Sequence, residues 1–132
     1  MSLNWVLDSQ ARLIVATADG DVGRGDFEAY LRAVDGAKAF GWSALIDIRS
    51  GRLAMGEVEI LTIGVQLRAL QKEHGTFGPL AIVISPDEDN LLPRLLGFMA
   101  MAKHPMRIFR DIKAAHRWLR SPPQMAPGGR PL

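Results

Sequence analysis

Short apolar runs alternate along this chain with longer segments in which apolar residues recur at helical spacing. The apolar runs predict strands over Asn4–Asp8, Arg12–Ala18, Ser43–Ile48, Leu80–Ser85 and Met106–Phe109. The helical spacing predicts four helices, over Asp26–Phe40, Glu57–Glu73, Leu91–Ala102 and Ile112–Arg120. Alternating strands and helices are typical of α/β proteins, in which crossover helices pack on a sheet.

Local signals refine this outline. Only Ser9-Gln10-Ala11 separates the first two apolar runs, which predicts a hairpin. The segment Asp19–Gly25 is rich in residues that tolerate positive φ and predicts a loop. Gly41 is placed for a left-handed cap after the first helix. The nearly continuous apolar run Ser43–Ile48 indicates a central strand covered on both faces.

The second predicted helix carries two apolar stripes divided by polar residues. One stripe consists of Ile60, Ile63, Leu67 and Leu70, and the other of Val58, Leu61, Val65 and Ala69. One stripe can cover the sheet, so the other needs a neighbouring helix or a second subunit. Val58, Leu61 and Val65 are therefore a candidate dimer seam, with a neighbouring helix as the alternative.

Length and composition favour one α/β domain over 1–121 and a disordered tail over 122–132. A chain of 132 residues with 48% hydrophobic residues can bury a real core. From Pro122 onward proline and glycine dominate, which predicts disorder. The absence of cysteine excludes disulfides and thiolate metal sites. No signal-peptide pattern and no apolar stretch near the roughly 20 residues of a membrane span occur, so we expect a cytoplasmic protein without integral membrane contact.

Charge is distributed unevenly. Residues 1–102 carry nine Lys/Arg against thirteen Asp/Glu, whereas residues 103–132 carry seven against one. In the last helix Arg110, Lys113, Arg117 and Arg120 fall on the side opposite Ile112, Ala115 and Leu119. Such a face can meet anionic lipid head groups or nucleic acid. No aromatic residues interleave with it, so we expect a solvated face and no nucleic-acid partner.

Candidate catalytic and metal-binding residues are few. The isolated His74, His104 and His116 lack ligand spacing, and the acidic run Asp87–Asn90 is placed to cap a helix. The glycines of the Asp19–Gly25 loop follow neither the dinucleotide nor the Walker pattern, and no serine lies in a nucleophile elbow. We expect no catalytic residue, no metal and no cofactor, and hence a protein that is not an enzyme.

Three segments carry a resemblance to a known family. They are Gly20-Asp21-Val22 leading into Phe27–Tyr30, the strand Ala44–Ile48, and Arg107–Phe109 followed by Ala114–Leu119. In these features the chain resembles the STAS-like proteins related to anti-sigma-factor antagonists, and most closely their SpoIIAA-like branch. The resemblance implies a mixed sheet with four helices mostly on one face, and a regulatory binding module for a protein partner or a second copy of itself.

The resemblance also implies where binding takes place. In true antagonists the loop after the Asp47-type strand leads to a phospho-accepting serine at the start of the second helix. Here Met55-Gly56 stands near the position of that serine, and Ser50 comes too early in the sequence to replace it. The resemblance therefore implies regulation without the usual phospho-serine. The candidate partner- or ligand-binding residues of the strand-to-helix loop are Asp47, Arg49, Ser50, Arg52 and Glu57. Asp47 would order the loop, and Arg49 and Arg52 would meet an acidic partner surface or ligand.

An alternative function is the carriage or sensing of a small apolar or lipid-like ligand, since this branch is likened to the CRAL-TRIO lipid-binding fold. That alternative predicts a cavity between the second and third helices, near Ile63, Leu67, Phe98 and Met99. Flexible methionine and aromatic side chains can line a pliable pocket for such a ligand, although the same residues can also pack as an ordinary core. Its candidate lining residues are Phe98, Met99, Met101, Met106 and Phe109.

Overall fold

The computed structural model describes residues 2–75, 77–86 and 105–120, together with 125–126 and 130–131. Five strands form one sheet in the order of the sequence. They are β1 (Leu3–Asp8), β2 (Leu13–Val22), β3 (Ser43–Leu53), β4 (Leu80–Val83) and β5 (Met106–Phe109). β1 is antiparallel to β2, and all later pairs are parallel. The predicted hairpin and mixed sheet are therefore confirmed.

Helices cover both faces of this sheet. They are α1 (Arg24–Gly36), α2 (Glu57–His74) and α3 (Ile112–Arg120). Buried residues of α1 and α2 share one apolar cluster with the sheet, and α3 shares another. The described part of the chain has three helices, not the four expected, and the helix predicted over Leu91–Ala102 lies outside it.

β3 lies at the centre of the sheet and shows how the two clusters are separated. Ile46 and Ile48 belong to the cluster beneath α1 and α2, and Leu45 belongs to the cluster beneath α3. Side chains alternate along a strand, so consecutive apolar residues enter opposite cores. The prediction of a central strand covered on both faces is confirmed.

β2 and β3 are longer than the hydrophobic pattern predicts. β2 continues to Val22, so the loop predicted from Asp19 onward is wrong for its first four residues. After a register shift following Thr17, the two strands pair from Asp19 opposite Ser50 to Val22 opposite Leu53. Backbone pairing between strands, which needs no apolar side chains, extends both elements beyond their apolar runs.

The ends of α1 and α2 differ in how well they were predicted. α1 ends at Gly36, four residues before the predicted end, and Lys38 takes the left-handed φ of +54° expected at Gly41. The turn bonds Ala39 N–H to the carbonyl of Val34, which buries Ala39. α2 ends at His74, one residue after the predicted end, and Gly75 with φ of +88° follows it.

Two short strands lie in the predicted tail. β6 (Met125–Ala126) and β7 (Arg130–Pro131) form an antiparallel pair of two residues each. The other tail residues lie outside the described part of the chain, so disorder over 122–132 stays a prediction.

Candidate functional site

The central feature of the site is a bidentate ion pair on β3. Asp47 is buried, with 9% of its surface exposed. Arg49 Nε donates to Asp47 Oδ1 at 2.9 Å, and Arg49 Nη2 donates to Oδ2 at 2.7 Å. The backbone N–H of Arg49 donates to the same Oδ1 at 3.1 Å. Two parallel bonds of this kind fix geometry as well as charge, so Asp47 orders both the side chain and the backbone of Arg49.

The electrostatics of this pair keep both groups ionised at neutral pH. The hydrogen bond from the Arg49 side chain lowers the pKa of Asp47, although burial opposes the change. The same hydrogen bond raises the pKa of Arg49, and the negative charge of Asp111 contributes to the rise. Asp111, the residue before α3, therefore interacts electrostatically with Arg49.

The carboxyl ends of the parallel strands create this neighbourhood. Asp47 pairs in register with Val83 of β4, and Val83 pairs with Phe109 of β5. The residues after β5 belong to the same edge: Arg110 Nη1 donates to the carbonyl of Pro86 at 2.6 Å. Asp111 accepts the backbone N–H of Lys113 at 3.1 Å, which caps α3.

Arg52 forms a second and separate ion pair. Its Nε lies 2.7 Å from Asp21 Oδ1, and its Nη2 lies 2.6 Å from the same oxygen. Asp21 and Arg52 are register partners across β2 and β3. Both side chains are exposed, the Arg52 side chain by 79%. The pair therefore marks the outer surface of the two-strand extension.

The structure brings only some of the predicted site residues into contact with one another. Arg49, Ser50 and Arg52 lie on β3 and not in a loop, because pairing with β2 continues to Leu53. Ser50 is exposed opposite Asp19, and Glu57 is exposed as the first residue of α2. Among the described residues, hydrogen bonds join Asp47 to Arg49 but none links these two to the other three.

Two carboxylates of the site were missed in the sequence. The sequence predicts a loop at Asp21, whereas the structure places Asp21 on β2 in register with Arg52. Asp111 is the second residue after a predicted strand, and the ends of parallel strands meet at one edge of a sheet. The position of Asp111 after a strand could therefore have identified it as a site residue. No local feature of the sequence indicates that Asp21 pairs with Arg52.

The two stripes of α2 have different surroundings. Ile60 and Ile63 are buried against the sheet. Val58, Leu61 and Val65 are 76%, 54% and 62% exposed. No helix among the described residues covers the second stripe, so the neighbouring-helix alternative has no support in that part of the chain.

An apolar cavity lies between the sheet and the pair α1 and α2. Its volume is about 100 Å³. Representative lining residues are Tyr30, Val34, Phe40, Ile63, Leu67 and Phe77. Ile63 and Leu67 were expected at a cavity, but between the second and third helices; Phe98, Met99 and Met101 lie outside the described residues. Met106 lines the cavity and Phe109 packs beneath α3, so the expectation that these two share one pocket is wrong.

The described residues provide neither a cluster of metal ligands nor a membrane-spanning helix. Within residues 2–75, 77–86 and 105–120, no three His, Asp or Glu side chains converge as a metal site would require. No helix in that part of the chain combines the length and the apolar character needed to cross a membrane.

Comparison with known proteins places the fold. No protein-family model and no curated protein matches the chain. The chain is similar to an uncharacterised protein of the DUF3478 family with a SpoIIAA-like fold from Shewanella loihica PV-4, with a TM-score of 0.58, 17% identity, and coverage of 89% of this chain and 93% of that one. It is also similar to the anti-sigma factor antagonist SpoIIAA in its unphosphorylated form, with a TM-score of 0.52 and 11% identity. That similarity covers 87% of this chain and 96% of that one.

The chain therefore has a STAS/SpoIIAA-like fold, as the resemblance in its sequence predicts. At these identities the likeness concerns the fold, and activity has to be argued from the site.

Proposed function

We propose that this chain is a non-enzymatic STAS-like module of the cytoplasm that binds a protein partner along the extension of β2 and β3. One observation carries the proposal. β3 pairs with β4 only as far as Asp47, so the stretch from Arg49 to Leu53 has no pairing strand on that side among the described residues. A strand edge of this kind can receive an extended segment of another protein.

The chemistry of the edge favours an acidic partner. Arg49 and Arg52 are each held by a single carboxylate, and the Arg52 guanidinium is 79% exposed. Arginine has five N–H donors, so donors remain for a second carboxylate. Arginine is also enriched at protein interfaces. The name of the second structural neighbour, an anti-sigma factor antagonist, supports a protein as the kind of partner.

Control by a phospho-serine at the start of α2 is not part of this proposal. The residues that precede α2 are Met55, which is buried, and Gly56, the N-cap residue. The backbone N–H of Gly56 donates to Glu59 Oε1 at 3.4 Å. Neither Met55 nor Gly56 has a hydroxyl that a kinase can modify, so partner binding would depend on the arginines.

The test uses Arg52, because Arg49 also holds the buried Asp47 and its reversal would disturb the fold. Wild-type protein, Arg52→Glu and the control Lys72→Glu would be used to capture proteins from an extract of the source cells. Lys72 is an exposed cation in the last turn of α2, so it matches the charge change. We expect a captured protein that Arg52→Glu loses at an unchanged melting temperature and that Lys72→Glu retains. Equal capture by all three proteins would contradict the proposal.

A second function, the carriage or sensing of a small apolar molecule, is favoured by the cavity beneath α1 and α2. Its lining is apolar, and apolar cavities bind apolar molecules of matching size. Native mass spectrometry of freshly purified protein tests this function. Extra mass that disappears on denaturation supports it, and bare chains from cells grown under several conditions count against it.

A further inference from the structure

We propose that the cavity takes up a compact, uncharged apolar molecule of about the size of one ring, and that this molecule passes through the seam between α1 and α2 at Leu31. This inference rests on the second proposed function and specifies its ligand and its route. It concerns the face of the sheet opposite the α3 cluster.

Volume and lining set the class of ligand. The cavity of about 100 Å³ is somewhat smaller than engineered apolar cavities of roughly 150 Å³, which stay dry and bind benzene or xenon. Among the described lining residues no side chain is charged or carries an amide, and the polar groups are the Tyr30 hydroxyl and the Trp42 indole. A carboxylate or phosphate head group would be left without a partner there, at a high desolvation cost. A fatty acid or phospholipid therefore does not fit.

Leu31 lies between this cavity and a groove at the surface. It lines the inner cavity, and it also lines an open groove between α1 and α2 together with Arg32, Ala69 and Leu70. Its side chain is half-buried. Since the same residue borders both spaces, a rotation of Leu31 with a slight separation of the helices joins the groove to the cavity.

Two polar contacts across the seam lie on either side of Leu31. Gln66 Nε2 donates to Glu28 Oε2 at 2.8 Å. At the other end His74 Nε2 lies 3.0 Å from Asp35 Oδ1. Positions 28 and 35 are about one helical turn before and after position 31, so these contacts hold the two helices together around it.

The seam is also a place where opening has a low cost. Gln66 borders the groove, and its Oε1 is buried without a hydrogen-bond partner in the described part of the chain. A buried polar atom without a partner destabilises the closed arrangement, and separation of the helices would admit water to it. The apolar face of the sheet, by contrast, has no such atoms among its buried residues.

Benzene is the first probe, read by NMR of isotope-labelled methyl groups in the full chain. We expect saturable shifts at Ile14, Ile46 and Ile82, which line the cavity. We expect none at Val83 and Leu119, which lie in the cluster beneath α3 and provide the internal control. Dodecanoate is the matched amphiphile and should cause no shift at the cavity methyls.

The route is tested by exchange kinetics of bound benzene. Leu31→Ala removes the partition, and His74→Gln weakens the contact to Asp35. Each should speed exchange by about fivefold or more, the effect of losing one ordinary interaction. Lys72→Gln is the matched control, because it removes an exposed charge from the same turn of α2, and it should leave the rate unchanged.

The outcomes separate the ligand, the route and the proposed function. Absence of cavity shifts with benzene overturns the inference. If dodecanoate shifts the cavity methyls and benzene does not, the ligand class is wrong while a carrier function stands. Cavity shifts with unchanged exchange in both Leu31→Ala and His74→Gln overturn the route through the seam.

Discussion

Asp47 and Arg49, two residues apart on β3, are joined by a pair of hydrogen bonds of 2.9 and 2.7 Å. The Asp47 side chain is 13% exposed, and the Arg49 side chain is 41% exposed. The contact lies where β3 loses its pairing with β4 and continues with β2 alone. This ion pair therefore supports the strand at the point where the proposed partner edge begins.

Asp47→Asn should lower the free energy of unfolding at neutral pH by about 1–2 kcal/mol, because an amide cannot accept the charged fork of Arg49. Urea unfolding followed by circular dichroism measures the change. The matched control is Asp21→Asn, which weakens the exposed pair with Arg52 and should cost less than about 1 kcal/mol.

The same variant should also change the dependence of stability on pH. The pKa of Asp47 is lowered in the folded protein, so its contribution is present above its unfolded pKa of about 4 and is lost as pH falls through the folded value. The difference between wild type and Asp47→Asn should therefore shrink in acid. A difference that stays constant down to the acid transition would show that Asp47 is not ionised in the native state.

Tyr30 provides a prediction in alkali. It is the only tyrosine in the chain, and burial raises its pKa. Because the folded pKa lies above the unfolded value of about 10, this group stabilises the fold below pH 10 and that contribution is lost as pH rises further. Tyrosinate absorbance should appear together with unfolding and not before it. The urea-unfolded chain, in which titration should be ordinary, is the reference; an ordinary titration of the folded protein would refute the burial of this hydroxyl.

Gly78 is required by a close approach of two backbone segments. A Cβ at this position would overlap the carbonyl oxygen of Trp42 and lie 2.6 Å from that of Gly41. Gly78→Ala should destabilise the protein by about 1–3 kcal/mol, since backbone atoms must move. Gly36→Ala at the end of α1 meets open space and should be neutral or stabilising by up to about 1 kcal/mol. Equal thermal midpoints for the two variants would contradict this account.

The exposed stripe Val58, Leu61 and Val65 predicts self-association. If it is a dimer seam, Leu61→Glu should convert a dimer to a monomer in sedimentation velocity, with little change in the stability of the monomer, because the side chain is 54% exposed. Val6→Glu is the control, since Val6 is 69% exposed on the edge strand β1, away from α2. A wild-type protein that remains monomeric at high concentration would contradict the prediction that this stripe is a dimer seam.

The sequence by itself determined the elements whose signals are local. The spacing of Ile60, Ile63 and Leu67 together with Gly75 defines α2 nearly to the residue, and the apolar run from Ser43 defines the central strand. The alternation of Ala115 and Leu119 with basic residues defines α3 equally well. In each case the burial of one or both faces of the element produces a periodic pattern of apolar residues within a short segment of sequence.

Only the tertiary structure decided what these elements meet. The pairing of Asp21 with Arg52 depends on strand register across 31 positions of sequence, and the effect of Asp111 on Arg49 depends on the convergence of two strand ends. The cavity arises because α1 and α2 do not fill the space above the sheet, and no spacing of apolar residues shows such a gap. Periodicity reports which face of an element is buried, whereas register and packing depend on contacts between distant parts of the chain, and those contacts have no local pattern.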